Sequence, residues 1–216
     1  MSLTEAEFVF AGVNESGVND LLKAFCTARP RFLTYATPSM APPPLAFTSI
    51  PAIAFPGIPG GIEYKIELTT PIVDFDPDSS GGAAPLPIGA QQVGISTTVT
   101  LTVGCTRWVD GQNPDRNGSV VPISTTLEVW ARGKMTVTYF GPGVGEIGFQ
   151  VDEVEIVDIK PDTLESVVEC IVRMVLQAFL MNVKLPFNAL TVGAFSLALL
   201  RGPEVEDDQV KLYGNV

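Results

Sequence analysis

The sequence predicts an α+β fold: a long, highly curved antiparallel β-sheet wrapped around a long C-terminal helix, with a short N-terminal helix. Three observations predict it. From residue 62 onward, apolar and polar residues alternate with a period of two over unusually long runs. A run from Leu164 to Leu180 is apolar at helical spacing. A shorter helical pattern, Val18, Leu21, Leu22 and Phe25, sits near the start. Period two puts alternate side chains on opposite faces of a strand, and the i, i+3, i+4, i+7 spacing gathers them on one face of a helix.

The chain opens with a short β-like run, Phe8-Val9-Phe10. Asn14 or Ser16 supplies the capping oxygen of the first helix, and Pro30 ends it. Residues 30–60 carry eight prolines. Proline lacks an N–H and fixes φ, so this stretch is expected to form neither a helix nor a central strand. It also carries Phe32, Tyr35, Leu45, Phe47, Ile53 and Phe55, too apolar for a disordered linker. It is expected to be an ordered arm packed on the body, and a contact surface.

Four long strands follow. Ile62, Tyr64, Ile66 and Leu68 alternate with Glu63, Lys65, Glu67 and Thr69. Val93 through Val103 alternates with Ser and Thr, and Ile123 through Tyr139 alternates with charged and hydroxyl residues. Half-buried antiparallel strands with one wet face have this pattern. Gly133 marks a bend or bulge in the longest. In the fourth, Ile147, Phe149 and Val151 share one parity and Val154 and Ile156 the other, which predicts an extra residue near Asp152–Glu153. Asp162 with Glu165 three residues on resembles a capping box opening the second helix. Its few polar residues predict a helix buried over much of its girth. A last strand pair, Val192 to Leu200 and Val210 to Val216, is joined by an acidic turn from Arg201 to Gln209. The whole, 1–216, reads as one domain without repeats.

Composition narrows the function. With 46% hydrophobic and 17% charged residues, the chain must hide much apolar surface in a core, a partner or around a ligand. A net charge of −11 repels phosphate backbones, so nucleic acid is not an expected partner. Cys26, Cys105 and Cys170 are far apart, with no CxxC pair; zinc is not expected, and buried reduced thiols are. No basic, apolar leader opens the chain, and no segment reaches the roughly 20 apolar residues of a membrane span, so a cytoplasmic protein is expected.

The chain contains no histidine, which removes Ser-His-Asp and Cys-His sites, and it has no GxSxG, HExxH, Walker or GxGxxG motif. Gly141-Pro142-Gly143-Val144-Gly145 joins two strands and reads as a turn. Asp74, Asp76 and Asp78 have the spacing of a calcium loop, but the sixth and twelfth positions are Ser79 and Pro85. The loop Asp110 to Gly118 fits only the first half of that pattern. Neither catalysis, a metal nor a cofactor is expected.

Three segments carry a resemblance. They are Phe8 to Asn19 near the start and, near the end, Leu185 to Leu190 with Phe195 to Leu199, then Asp207 to Val216, with long strands and one long apolar helix between. In this order they resemble the TULIP superfamily of lipid-binding proteins, which includes bactericidal/permeability-increasing protein. With no signal of the secreted members' kind and no evident family disulfide pair in this sequence, the chain is expected to be more similar to the cytosolic bacterial type encoded beside clostridial neurotoxins. The resemblance implies a sheet rolled around helices with a tubular apolar cavity for a lipid.

Two functions follow as expectations. The first is non-enzymatic binding of a lipid or other hydrophobic ligand between sheet and helix. Its lining candidates are Val99, Leu101, Val103, Leu127, Val129, Met135 and Val137 on the strands, and Ile171, Val175 and Phe179 on the helix. The second is a structural or adaptor role in a toxin or injection-type assembly, with a filled core. A protein partner would then dock on the proline-rich arm, or a second copy on the sheet edges.

Overall fold

The computed structural model describes residues 9–41, 44–56, 58–75, 86, 88–89, 91–105, 122–157, 162–192, 195–206 and 208–215. The architecture is mostly β. In order come β1 (Val9–Asn14), α1 (Glu15–Ala28), β2 (Thr34–Ala36), β3 (Thr48–Ser49), β4 (Ile53–Phe55), β5 (Ile58–Leu68), β6 (Ile72–Asp74), β7 (Val93–Cys105), β8 (Ile123–Gly141), β9 (Val144–Ile156), α2 (Asp162–Leu180), β10 (Leu185–Phe187), β11 (Leu190–Val192), β12 (Phe195–Glu206) and β13 (Gln209–Asn215). The chain divides into two compact units: 1–23, 72–96 and 130–216 in the first, 24–71 and 97–129 in the second.

In the first unit, β1-β13-β12-β11 form an antiparallel sheet, with Val9 opposite Gly214 and Val205 opposite Val210. Strands β10, β9 and β8 are neighbours, and β6 pairs with the start of β7. The buried face of β9 passes from Ile147, Phe149 and Val151 to Val154 and Ile156, the parity change the sequence predicts. At Gly133 a methyl group would stand 2.4 Å from the Gln150 carbonyl oxygen. This glycine therefore admits the backbone of β9 at close range.

Helix α1 is capped by Asn14, whose Oδ1 accepts the Gly17 N–H at 2.9 Å. Its buried positions are Val18, Leu22 and Cys26, whereas Leu21 is exposed and Phe25 half-buried. The stripe thus runs at i, i+4, i+8 instead of through Leu21.

Helix α2 packs on β9 through Val168, Val172, Val175, Leu176, Phe179 and Leu180. The Val151 N–H donates to Gln177 Oε1 at 2.8 Å, fastening helix to strand. The opposite face is open: Cys170, Arg173, Met174 and Ala178 are exposed, as is Met181 just past the end of the helix. The expectation of a helix buried over much of its girth is thereby narrowed to the side that meets β9. The side chains of 162–167, and with them the capping box, lie outside the described residues. Four strands follow α2 where the sequence suggested two. The acidic stretch is mostly strand, because β12 continues to Glu206, and Asp208 makes the turn at φ 57°.

In the second unit the neighbours are β8, β7, β5, β2 and β3, with β4 added on β5. The proline-rich arm does contribute an interior strand. β2 is antiparallel to β5 and parallel to β3, and its three residues are buried. The physical reason is local: 31–37 contains no proline, so both edges of β2 keep their donors. Two 3-10 turns, Pro30–Leu33 and Pro38–Met40, bracket it.

Cys26 is a buried thiol whose pKa burial pushes up, against a hydrogen bond from Thr70 that lowers it. Cys170 is exposed, contrary to the expectation of buried thiols, because it lies on the open face of α2. The Cys105 side chain and the loops holding Asp76, Asp78 and 110–118 lie outside the described residues. Among the described residues no helix is long and apolar enough to cross a membrane.

Candidate ligand-binding face

Register assembles the site in the second unit. Tyr35 opposes Ile66, and Ile66 opposes Leu101. Leu68 opposes Val99, and Tyr64 opposes Val103. Residues opposed across an antiparallel ladder share a face, so these seven side chains project together. On the other face two hydroxyl pairs fix the alignment of β8: Thr100 with Thr126 at 3.4 Å and Thr102 with Ser124 at 2.8 Å. That alignment carries the apolar rows onward, Val99 to Leu127 and Val103 to Ile123.

Burial grades along the rows. The row Leu68-Val99-Leu127 is closed, at 6%, 0% and 6% exposure. The middle row runs from Tyr35, at 4%, and Ile66 to a half-buried Leu101. In the outer row Tyr64 and Val103 are half-buried and Ile123 is 77% exposed. Beyond the closed row, Thr97 and Thr69 seal the strands with hydroxyl bonds, Thr97 Oγ1 donating to the Thr69 carbonyl at 2.9 Å.

One buried polar atom without a partner interrupts this apolar face. The Tyr35 hydroxyl is buried without a hydrogen-bond partner among the described residues. Burial pushes its pKa from the ordinary 10.0 to about 12, so it is a neutral donor throughout the physiological range. Burial also raises the Tyr64 phenol.

The predicted lining residues fall into two sets. Val99, Leu101, Val103, Leu127 and Val129 belong to the second unit, Val129 at 0% exposure at its margin. Met135, Val137, Ile171, Val175 and Phe179 belong to the first. There Val175 and Phe179 are core residues against β9, Met135 is buried, and Val137 and Ile171 are half-buried. Sequence reasoning missed Tyr35, hidden in the proline-rich arm. It also passed over Tyr64 and Ile66, although their period-two alternation was visible.

Fold and face define a mostly-β protein with an apolar, partly open sheet surface. No protein-family model matches the chain, and no curated protein does. Among solved structures, the crystal structure of a lipopolysaccharide binding protein is similar at a TM-score of 0.34 and 10% identity, covering 96% of this chain and 40% of that one. The chain thus spans about two fifths of the length of that protein.

Proposed function

We propose that this chain is a non-enzymatic binder of a lipid or another hydrophobic ligand, held on the β5-β7-β8 face of the second unit. The observation that supports it is the graded face: apolar rows closed at Leu68, Val99 and Leu127 and open at Tyr64, Val103 and Ile123. An acyl chain laid along the open rows gains about 0.8 kcal/mol per methylene removed from water. The Tyr35 hydroxyl offers one hydrogen bond to an oxygen of such a ligand, at a depth where an unpaired hydroxyl is costly.

Native mass spectrometry followed by solvent extraction tests this reading. A stoichiometric adduct that extracts as lipid, and disappears in Leu101→Trp and Val103→Trp, is the expected result. Both residues are half-buried, so indole fills the open rows without rebuilding the core. An apo mass with no extractable lipid would sink it. An assembly role is the competing reading, favoured by Met174 on α2 and Met181 just past its end, which leave apolar surface exposed. In that case the pure protein elutes with a partner or as a multimer and carries no lipid.

A further inference from the structure

Helix α1 ends at Ala28, and the chain turns directly into the Pro30–Leu33 turn, which sets Arg29 and Arg31 on either side of one proline. The backbone there is held. The Arg29 N–H donates to the Phe25 carbonyl at 2.8 Å, the Phe32 N–H to the Arg29 carbonyl at 3.1 Å, and the Thr48 hydroxyl to the Arg31 carbonyl at 2.9 Å. The side chains are ordered by aromatic rings. The Arg29 guanidinium carbon lies 5.4 Å from the Phe25 centroid and that of Arg31 lies 4.8 Å from the Phe32 centroid. The two rings stack at 5.5 Å and 19°. A cation over a ring uses the face of the guanidinium and leaves N–H groups at its edge to donate elsewhere.

Both arginines line one recess of about 460 Å³, with Ala28, Pro30 and Ala46 and, among the described residues, no acidic side chain. Elsewhere Lys65, Arg132, Lys134, Lys184 and Lys211 each pair with a carboxylate. Among the described residues Arg29 and Arg31 pair with none. In a chain with 24 acidic and 13 basic residues, this leaves two exposed arginines side by side with no carboxylate partner among the described residues, open to an anion from solution.

We propose that this recess binds a phosphate monoester. Two adjacent positive charges match a phosphate group of about −1.5 to −2 near neutral pH, and the guanidinium fork suits its oxygens. The apolar walls from Ala28, Pro30 and Ala46 suit a carbon body attached to the phosphate. Such a group is carried by a soluble metabolite or by an amphiphile's head. The net charge of −11 opposes approach to an anionic bilayer but is screened for a small ion beyond about 8 Å. The site is independent of the lipid-binding reading.

Calorimetric titration of the whole chain with inorganic phosphate and with phenyl phosphate, at low salt, reads the site. One-site saturable binding is expected, about tenfold weaker in each of Arg29→Gln and Arg31→Gln and lost in the double variant. Arg→Lys at both positions keeps the charge without the fork, and is expected to weaken binding less while the thermal midpoint stays put. Flotation with phosphatidylcholine vesicles containing phosphatidic acid separates the sources. Phosphate binding with vesicle capture assigns a lipid head, and phosphate binding without capture assigns a soluble ester. No saturable phosphate binding, or equal binding by the double Gln variant, overturns the proposal, as does vesicle capture alone.

Discussion

Tyr35 and Ile66 stand directly opposite each other on β2 and β5, and both are almost fully buried, yet only Tyr35 carries a polar atom there and that atom has no partner among the described residues. An unpaired buried hydroxyl costs about 1–3 kcal/mol. Tyr35→Phe is therefore expected to leave the ligand-free protein equally stable or about 1 kcal/mol more stable, by urea denaturation. A loss of stability would mean that the hydroxyl is satisfied.

Alkaline pH provides a second check. Burial pushes Tyr35 up to about 12, and Tyr213 is raised by burial and by its hydrogen bond to the Glu204 carboxylate. The unfolded chain then releases these protons near pH 10 while the native state keeps them. The stabilisation is complete below about pH 10 and falls as pH rises through the native values. Urea midpoints measured across that window are expected to drop less steeply in Tyr35→Phe than in the parent.

Helix α2 predicts an asymmetry between its faces. Phe179 is fully buried against β9, and Met181, two residues on and just past the helix end, is 63% exposed. Phe179→Ala is expected to cost about 3–5 kcal/mol, and Met181→Ala no more than about 0.5 kcal/mol. Equal losses in thermal or chemical denaturation would place both side chains in a packed environment.

Asn19 on α1 holds β6 by both ends of its amide. Its Nδ2 donates to the Val73 carbonyl at 2.9 Å, and its Oδ1 accepts the Val73 N–H at 2.8 Å. Because Val73 is fully buried, Asn19→Leu strands two backbone groups and is expected to cost about 2–4 kcal/mol. Amide exchange at Val73 should accelerate with it, and unchanged protection there would refute the tie.

Gly133→Ala should be costly for a steric reason, since the added methyl meets the Gln150 carbonyl at 2.4 Å. The expected loss is about 1–3 kcal/mol, read as a lower denaturation midpoint. Gly148→Ala, where the nearest atom lies at 3.6 Å, is the control.

The long strands were legible because their alternation is local and repeated. Ile62 to Leu68, Val93 to Val99 and Ile147 to Ile156 show on the sequence which parity goes inside, including the switch after Val151. Less legible was any position whose surroundings come from distant chain. Leu21 and Cys26 are both apolar and both suit a helix stripe, and only packing buried the second and exposed the first. Arg29 and Arg31 looked like two ordinary charges until their rings and recess were in place.

By itself the sequence determined what each segment is, since strand and helix periods follow from backbone sterics and the reach of a few neighbouring residues. It placed the helix start at Asn14 or Ser16 and the parity change near Asp152 by the same local rules. Tertiary structure alone decided which segments meet: β1 with β13, β2 between β5 and β3, Tyr35 beside Ile66. Pairing joins residues far apart in the chain, and a period of two says which face a side chain takes without saying what will lie across from it.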